Sequence, residues 1–187
     1  MGNAVVMVCD MQNDIARFHQ RPEEADRLVG EIGKFIAWAR EQGMPVIYSC
    51  VGYRPDYVDV IPRLAAPIKE FGLLVAGTPG CAVIDELAPQ EGDVLLTRRR
   101  SSSFYGTDLD LILRSLDVDT IILTGMSTQR VVESTARSAS DRDLRVLVVE
   151  DCCSADSQEL HDGALRAIAD WFGEVGSAEE IMKQFTS

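Results

Sequence analysis

Histidine is nearly absent from this sequence. There are two in 187 residues, His19 and His161, too few for a histidine-rich metal centre. Cysteine occurs five times, at Cys9, Cys50, Cys81, Cys152 and Cys153. That odd number shows no metal-ligand spacing, so reduced thiols packed as small apolar residues are expected. Basic runs are equally scarce. None exceeds Arg98, Arg99 and Arg100, and a formal net charge of −12 argues against a nucleic-acid or anionic-membrane partner. No apolar run approaches the length needed to span a bilayer, and the first residues, MGNAVVMVCDMQ, pass straight into a strand pattern without the architecture of a secretion signal. A cytoplasmic protein is therefore expected. No repeat or low-complexity linker interrupts the chain, and its length suits one domain over residues 1–187 with a sizeable core.

What the chain does contain is alternation. Residues 4–9, AVVMVC, form a continuous apolar run ending at Asp10, the pattern of a central parallel strand covered on both faces. Residues 23–42 carry Leu28, Ile32, Phe35, Ile36 and Ala39 at helical spacing and stop at Gly43. Strands follow at 45–49, 93–97, 120–124 and 145–149, with a sixth at 173–175, and helices at 108–116, 128–141, 158–170 and 178–185. Residues 50–67, rich in Pro and Tyr, read as a loop over the strand ends, and residues 72–90 as an irregular excursion with a short helical turn. Strands alternating with helices select an α/β domain with a parallel sheet and right-handed crossovers.

The stretch DTIILTGMSTQRVVESTAR (119–137) joins a buried strand to a helix through a glycine-containing turn. Together with VVMVCDMQND, RRRSSSFYGTDLDLIL and VVEDCC, it resembles the isochorismatase-like hydrolases, the cysteine hydrolase superfamily whose motif reads Gly-x-x-Thr-x-x-Cys-Val. Gly125, Thr128 and Val132 match, and Val131 stands at the nucleophile position. The resemblance spans nearly the whole chain. It implies a three-layer α/β/α sandwich around a six-stranded parallel sheet of order 3-2-1-4-5-6, a small-molecule substrate, and a homo-oligomer, dimer or tetramer.

In such sheets ligands bind beyond the carboxyl ends of the strands, beside the reversal of strand order. Asp10, Arg98 and the segment from Met126 to Val131 converge there, at the places where the family carries its Asp, Lys and Cys. Asp10 and Arg98 are thus the catalytic candidates. Asp10 would act as general acid or base. Arginine keeps its proton, so Arg98 would clamp a carboxylate or stabilise developing charge rather than shuttle protons. If Arg98 touches Asp10 it should lower that carboxyl's pKa and favour a base or electrostatic role, unless a substrate carboxylate neutralises it. By resemblance a non-proline cis peptide follows Met126, and the loop from Ser127 offers backbone N–H groups to an oxyanion. Gln12, Phe18, Tyr53, Arg54, Phe104, Met126, Ser127, Arg130 and Val131 complete the set of substrate contacts. The stretch VGYRPDY lacks the histidines through which nicotinamidases bind metal, so neither metal nor other cofactor is expected.

A valine cannot form a thioester. Three readings therefore stand open. The first is hydrolysis without a covalent enzyme intermediate of a small, carboxylated molecule, as in family members that lack the cysteine and cleave a vinyl ether with the aspartate as acid. The second is an inert relative that binds a ligand or partner through the same cleft. The third is a thiol hydrolase with a relocated cysteine such as Cys50.

Overall fold

In a computed structural model that describes residues 3–17 and 22–186, the first apolar run is strand β1 (Ala4–Cys9), buried at every position. Helices α1 (Asn13–Arg17) and α2 (Pro22–Glu41) lead to β2 (Val46–Val51). Three 3-10 turns (Pro62–Leu64, Pro79–Cys81 and Asp85–Leu87) and the short α3 (Ala65–Glu70) occupy the stretch before β3 (Val94–Arg98). Then come α4 (Leu109–Ser115), β4 (Thr120–Met126), a π-helical turn (Thr128–Val132) running into α5 (Glu133–Ser140), β5 (Arg145–Ser154), α6 (Gln158–Trp171), β6 (Glu174–Gly176) and α7 (Ala178–Lys183). All pairings are parallel, and the order is β3-β2-β1-β4-β5-β6, as the resemblance implied.

Strand alternation sorts the core into two layers. Val6 and Val8 of β1 pack with Leu28, Ile32, Phe35 and Ile36 of α2 and Ile181 of α7. Val5, Met7 and Cys9 face the other way, onto Leu109 and Leu113 of α4, Ala136 and Ala139 of α5, and Ile168 of α6. Helix α2 ends where Gly43 takes φ +72°, with its N–H donating to Arg40 O at 2.9 Å. Ser157 caps α6 and a Ser177–Glu180 capping box opens α7, so side chains satisfy the first backbone donors of both helices.

Several boundaries differ from the sequence expectation. The fifth strand runs five residues further than its apolar stretch. A register shift in β4 between Leu123 and Gly125 lets Cys153 and Ser154 pair with Gly125 and Met126. The stretch read as a plain loop after β2 contains a 3-10 turn (Pro62–Leu64) as well as α3. Among the described residues, no helix is long and apolar enough to cross a membrane.

Candidate active site

Strand order reverses beside β1, and the chain exploits two unusual backbone positions there. Gly125, at φ +106°, lies so close to β1 that an added Cβ would sit 2.1 Å from Cys9 O, which only glycine allows. Asp10, at φ +52°, tolerates the left-handed region as Asp and Asn do better than most residues. Its carbonyl accepts from the Gln12 N–H at 2.8 Å, turning the chain sharply off the sheet. The Met126–Ser127 peptide is cis.

These strand ends border a cavity of about 230 Å³. Asp10, Tyr53, Arg98, Met126, Ser127, Arg130 and Val131 all line it. So do Asp14 and Ser101, and an apolar wall of Ile61, Leu64, Pro67, Ile68 and Leu73 from the segment after β2. Neither Asp14 nor the wall was among the expected contacts. Asp14 stands in the quoted VVMVCDMQND motif as the second acid, but nothing in the sequence aims it inward.

Arg98, 3 % exposed, is paired with Asp10 Oδ2 through Nη2. Its Nε donates to Ser49 Oγ at 3.2 Å, and its Nη1 to Arg100 O at 2.5 Å. Ser49 shares a hydrogen bond with Ser103 Oγ at 2.7 Å, which also accepts from Thr135 Oγ1 at 3.1 Å. Ser49, Ser103 and Thr135 are fully buried. A polar chain thus runs from the cavity along one face of the sheet to α5, and its groups satisfy one another where water does not reach. A serine inside the otherwise apolar VIYSCV strand was the available signal for it.

Asp10 Oδ1 accepts from the Val51 N–H at 3.1 Å. Burial raises the Asp10 carboxyl above the ordinary carboxylate range, against the charge and hydrogen bond of Arg98, the Val51 N–H and the charge of Arg130, which all lower it. The sequence expectation had only the arginine in view. With burial included the net direction is upward, which opens proton donation.

Several expected contacts lie elsewhere. Gln12 is fully buried behind the cavity, with its Nε2 donating to Val51 O and Cys81 O at 2.9 and 2.7 Å. Phe104 belongs to the α4–α6 core layer and carries the Arg142 guanidinium 4.3 Å above its ring. Arg54 points outward to Asp59, 3.7 Å away. Phe18 lies outside the described residues. Arg99 and Arg100, the rest of the basic run, clamp Asp59: Arg99 Nε donates to its carboxylate at 2.9 Å and Arg100 Nη1 to its carbonyl at 2.8 Å.

No cysteine lines the cavity. Cys50 is buried, and its thiol is raised by burial and by the Asp10 charge. Cys9 is pushed up to about 12, chiefly by burial. Nucleophilic thiols need the opposite shift. Among the described residues no three His, Cys, Asp or Glu side chains gather as a metal-binding set.

A model of the isochorismatase domain matches residues 4–180. The uncharacterized isochorismatase family protein YecD of Escherichia coli is 35% identical over 180 residues, covering 95% of this chain and 93% of its own. Ureidoacrylate amidohydrolase RutB of Methylorubrum extorquens is 33% identical over 194 residues, covering 90% of this chain and 77% of that one. Among solved structures, an isochorismatase family protein from Desulfovibrio vulgaris matches with a TM-score of 0.91 and 29% identity over the whole of both chains.

Proposed function

Because the chain belongs to the isochorismatase-like hydrolase family, we propose that it hydrolyses a small carboxylated molecule without a covalent enzyme intermediate. Asp10 handles the proton in this scheme. As the neutral acid it gives its proton to the substrate atom released at the scissile bond. As the resulting carboxylate it takes one proton from the water that adds, so one water is consumed and Asp10 returns to its starting state. Arg98 holds Asp10 in place and stabilises the carboxylate formed midway. The backbone N–H groups at the start of the helix that follows Ser127 face developing negative charge on the substrate.

The observation that carries this reading is a buried carboxyl, raised by its burial, facing a cavity that no cysteine lines. That volume is below the roughly 300–1,000 Å³ usual for drug-sized ligands, which supports a small substrate. The likeness to an enzyme named for ureidoacrylate supports starting with amides and ureas of short carboxylic acids, alongside enol-pyruvyl ethers.

A second reading is a relative that binds a ligand without turning it over. It is favoured by Arg98, whose Nε, Nη1 and Nη2 are all directed at protein acceptors. Screening the purified protein against these three substrate classes separates the two. The hydrolase reading expects turnover that survives iodoacetamide and falls about 10²–10⁴-fold in Asp10→Asn. Binding without turnover selects the second reading, and activity lost on Cys50→Ala returns the reaction to a thiol.

A further inference from the structure

Two cations border the cavity, and they are not equivalent. Arg98 is sealed in and spends its nitrogens on Ser49, Arg100 and Asp10, so it has to abandon Asp10 before it can reach a ligand. Arg130 enters the cavity from the helix after β4 with its side chain 55% exposed. Its Nη2 donates to Asp156 Oδ2 at 2.5 Å, and Asp156 is itself steadied by Gln129 Nε2 at 3.0 Å. Nε and Nη1 of Arg130 have no partner among the described residues. Arg130 and Asp10 line the same cavity, and the charge of Arg130 is among those that favour the ionised Asp10 carboxyl.

One wall is apolar, from Ile61, Leu64, Pro67, Ile68 and Leu73, and the rest of the lining adds Tyr53, Ser101 and Ser127 with one further acid, Asp14. Asp14 is fixed by the Leu74 N–H, which donates to Oδ2 at 2.8 Å. An anion entering such a cavity loses hydration that only a paired cation restores, and a second anion meets the Asp14 carboxylate. We propose that Arg130 is the specificity-determining residue of this site, taking the single carboxylate of a small ligand with an apolar body, while Asp14 excludes ligands with a second carboxylate. The inference rests on the cavity being the substrate site. It moves the anchoring role from Arg98 to Arg130, leaving Arg98 to position Asp10. Asp156 holds the guanidinium in the empty site, and the planar fork has donors to spare for a ligand.

Binding without bond cleavage tests this, using benzoate, its neutral isostere benzamide and the dicarboxylate terephthalate in calorimetric titrations. The wild-type protein should bind benzoate roughly tenfold or more tighter than benzamide, the scale of a charge-assisted hydrogen-bonded pair, and terephthalate more weakly than benzoate. Arg130→Gln should erase the preference for benzoate over benzamide, Arg130→Lys should keep part of it, and Asp14→Asn should narrow the gap to terephthalate. Equal binding of acid and amide by the wild type, no binding of either, or an unchanged preference in Arg130→Gln overturns the proposal. Because these titrations need no turnover, carboxylate selectivity without hydrolysis sinks the hydrolase reading alone. Hydrolysis without carboxylate selectivity sinks this one and leaves the acid–base scheme at Asp10 standing.

Discussion

Arg98 and Arg130 line the same cavity, each paired with an aspartate, and the two pairs differ in almost everything but composition. Arg98 and Asp10 have side chains 3% and 11% exposed; Arg130 and Asp156 have 55% and 32%. In the sealed pair the guanidinium and the carboxyl have both lost their water and depend on each other and on neighbouring dipoles, so neither moves without stranding its partner. In the rim pair water competes throughout, and a new anion can take the spare donors of Arg130 beside the aspartate at little cost. The same chemistry thus gives a fixed part in one place and an exchangeable one in the other, with solvent access deciding between them.

The comparison breaks most visibly at Arg98. At a pH above the raised Asp10 pKa, where the carboxylate is charged, Arg98→Met should leave Asp10 buried without its cation and cost about 3–5 kcal/mol, read as a fall in the urea midpoint. Next is the polar chain behind the pair. Ser49→Ala leaves Arg98 Nε without its acceptor in a buried setting, for a loss of about 1–3 kcal/mol by the same measurement. A third test is electrostatic. Because burial raises the Asp10 carboxyl, the folded protein keeps a proton that the unfolded chain has already released. The stability due to that proton is fully present below the unfolded pKa and is lost as pH climbs through the raised one. The stability of the wild type relative to Asp10→Asn should therefore fall as pH rises over that window, and a relative stability that rises instead contradicts the upward shift. At the rim, Asp156→Ala should change stability by less than about 1 kcal/mol. A larger effect erases the contrast between the pairs.

The meeting of Asp10 and Arg98 was legible in the sequence because parallel strands end at one rim, and each residue closes an apolar run. The strand order came with the family resemblance rather than with the apolar pattern. Phe104 and Arg54 were misplaced for a different reason. Both follow strands, but the chain leaves those strands through irregular turns, where neither period two nor period 3.6 says which way a side chain points. Ile61, Leu64 and Ile68 were invisible as a cavity wall until a 3-10 turn and α3 gave that segment a face. The direction of the Asp10 shift was hidden too, because it is the balance of burial against Arg98, and burial is a property of the packed molecule.

The segment after β2 has its own small core, in which Val60, Ile68 and Leu74 gather on Val51 and Tyr53, separate from the two layers that sandwich the sheet. The shape of the cavity and the Asp10–Arg98 pair are therefore housed in different parts of the chain. Residues 58–74 can be redrawn by mutation to admit a ligand of another shape while the sheet keeps Asp10 and Arg98 aligned, so a change of fit need not disturb the buried pair.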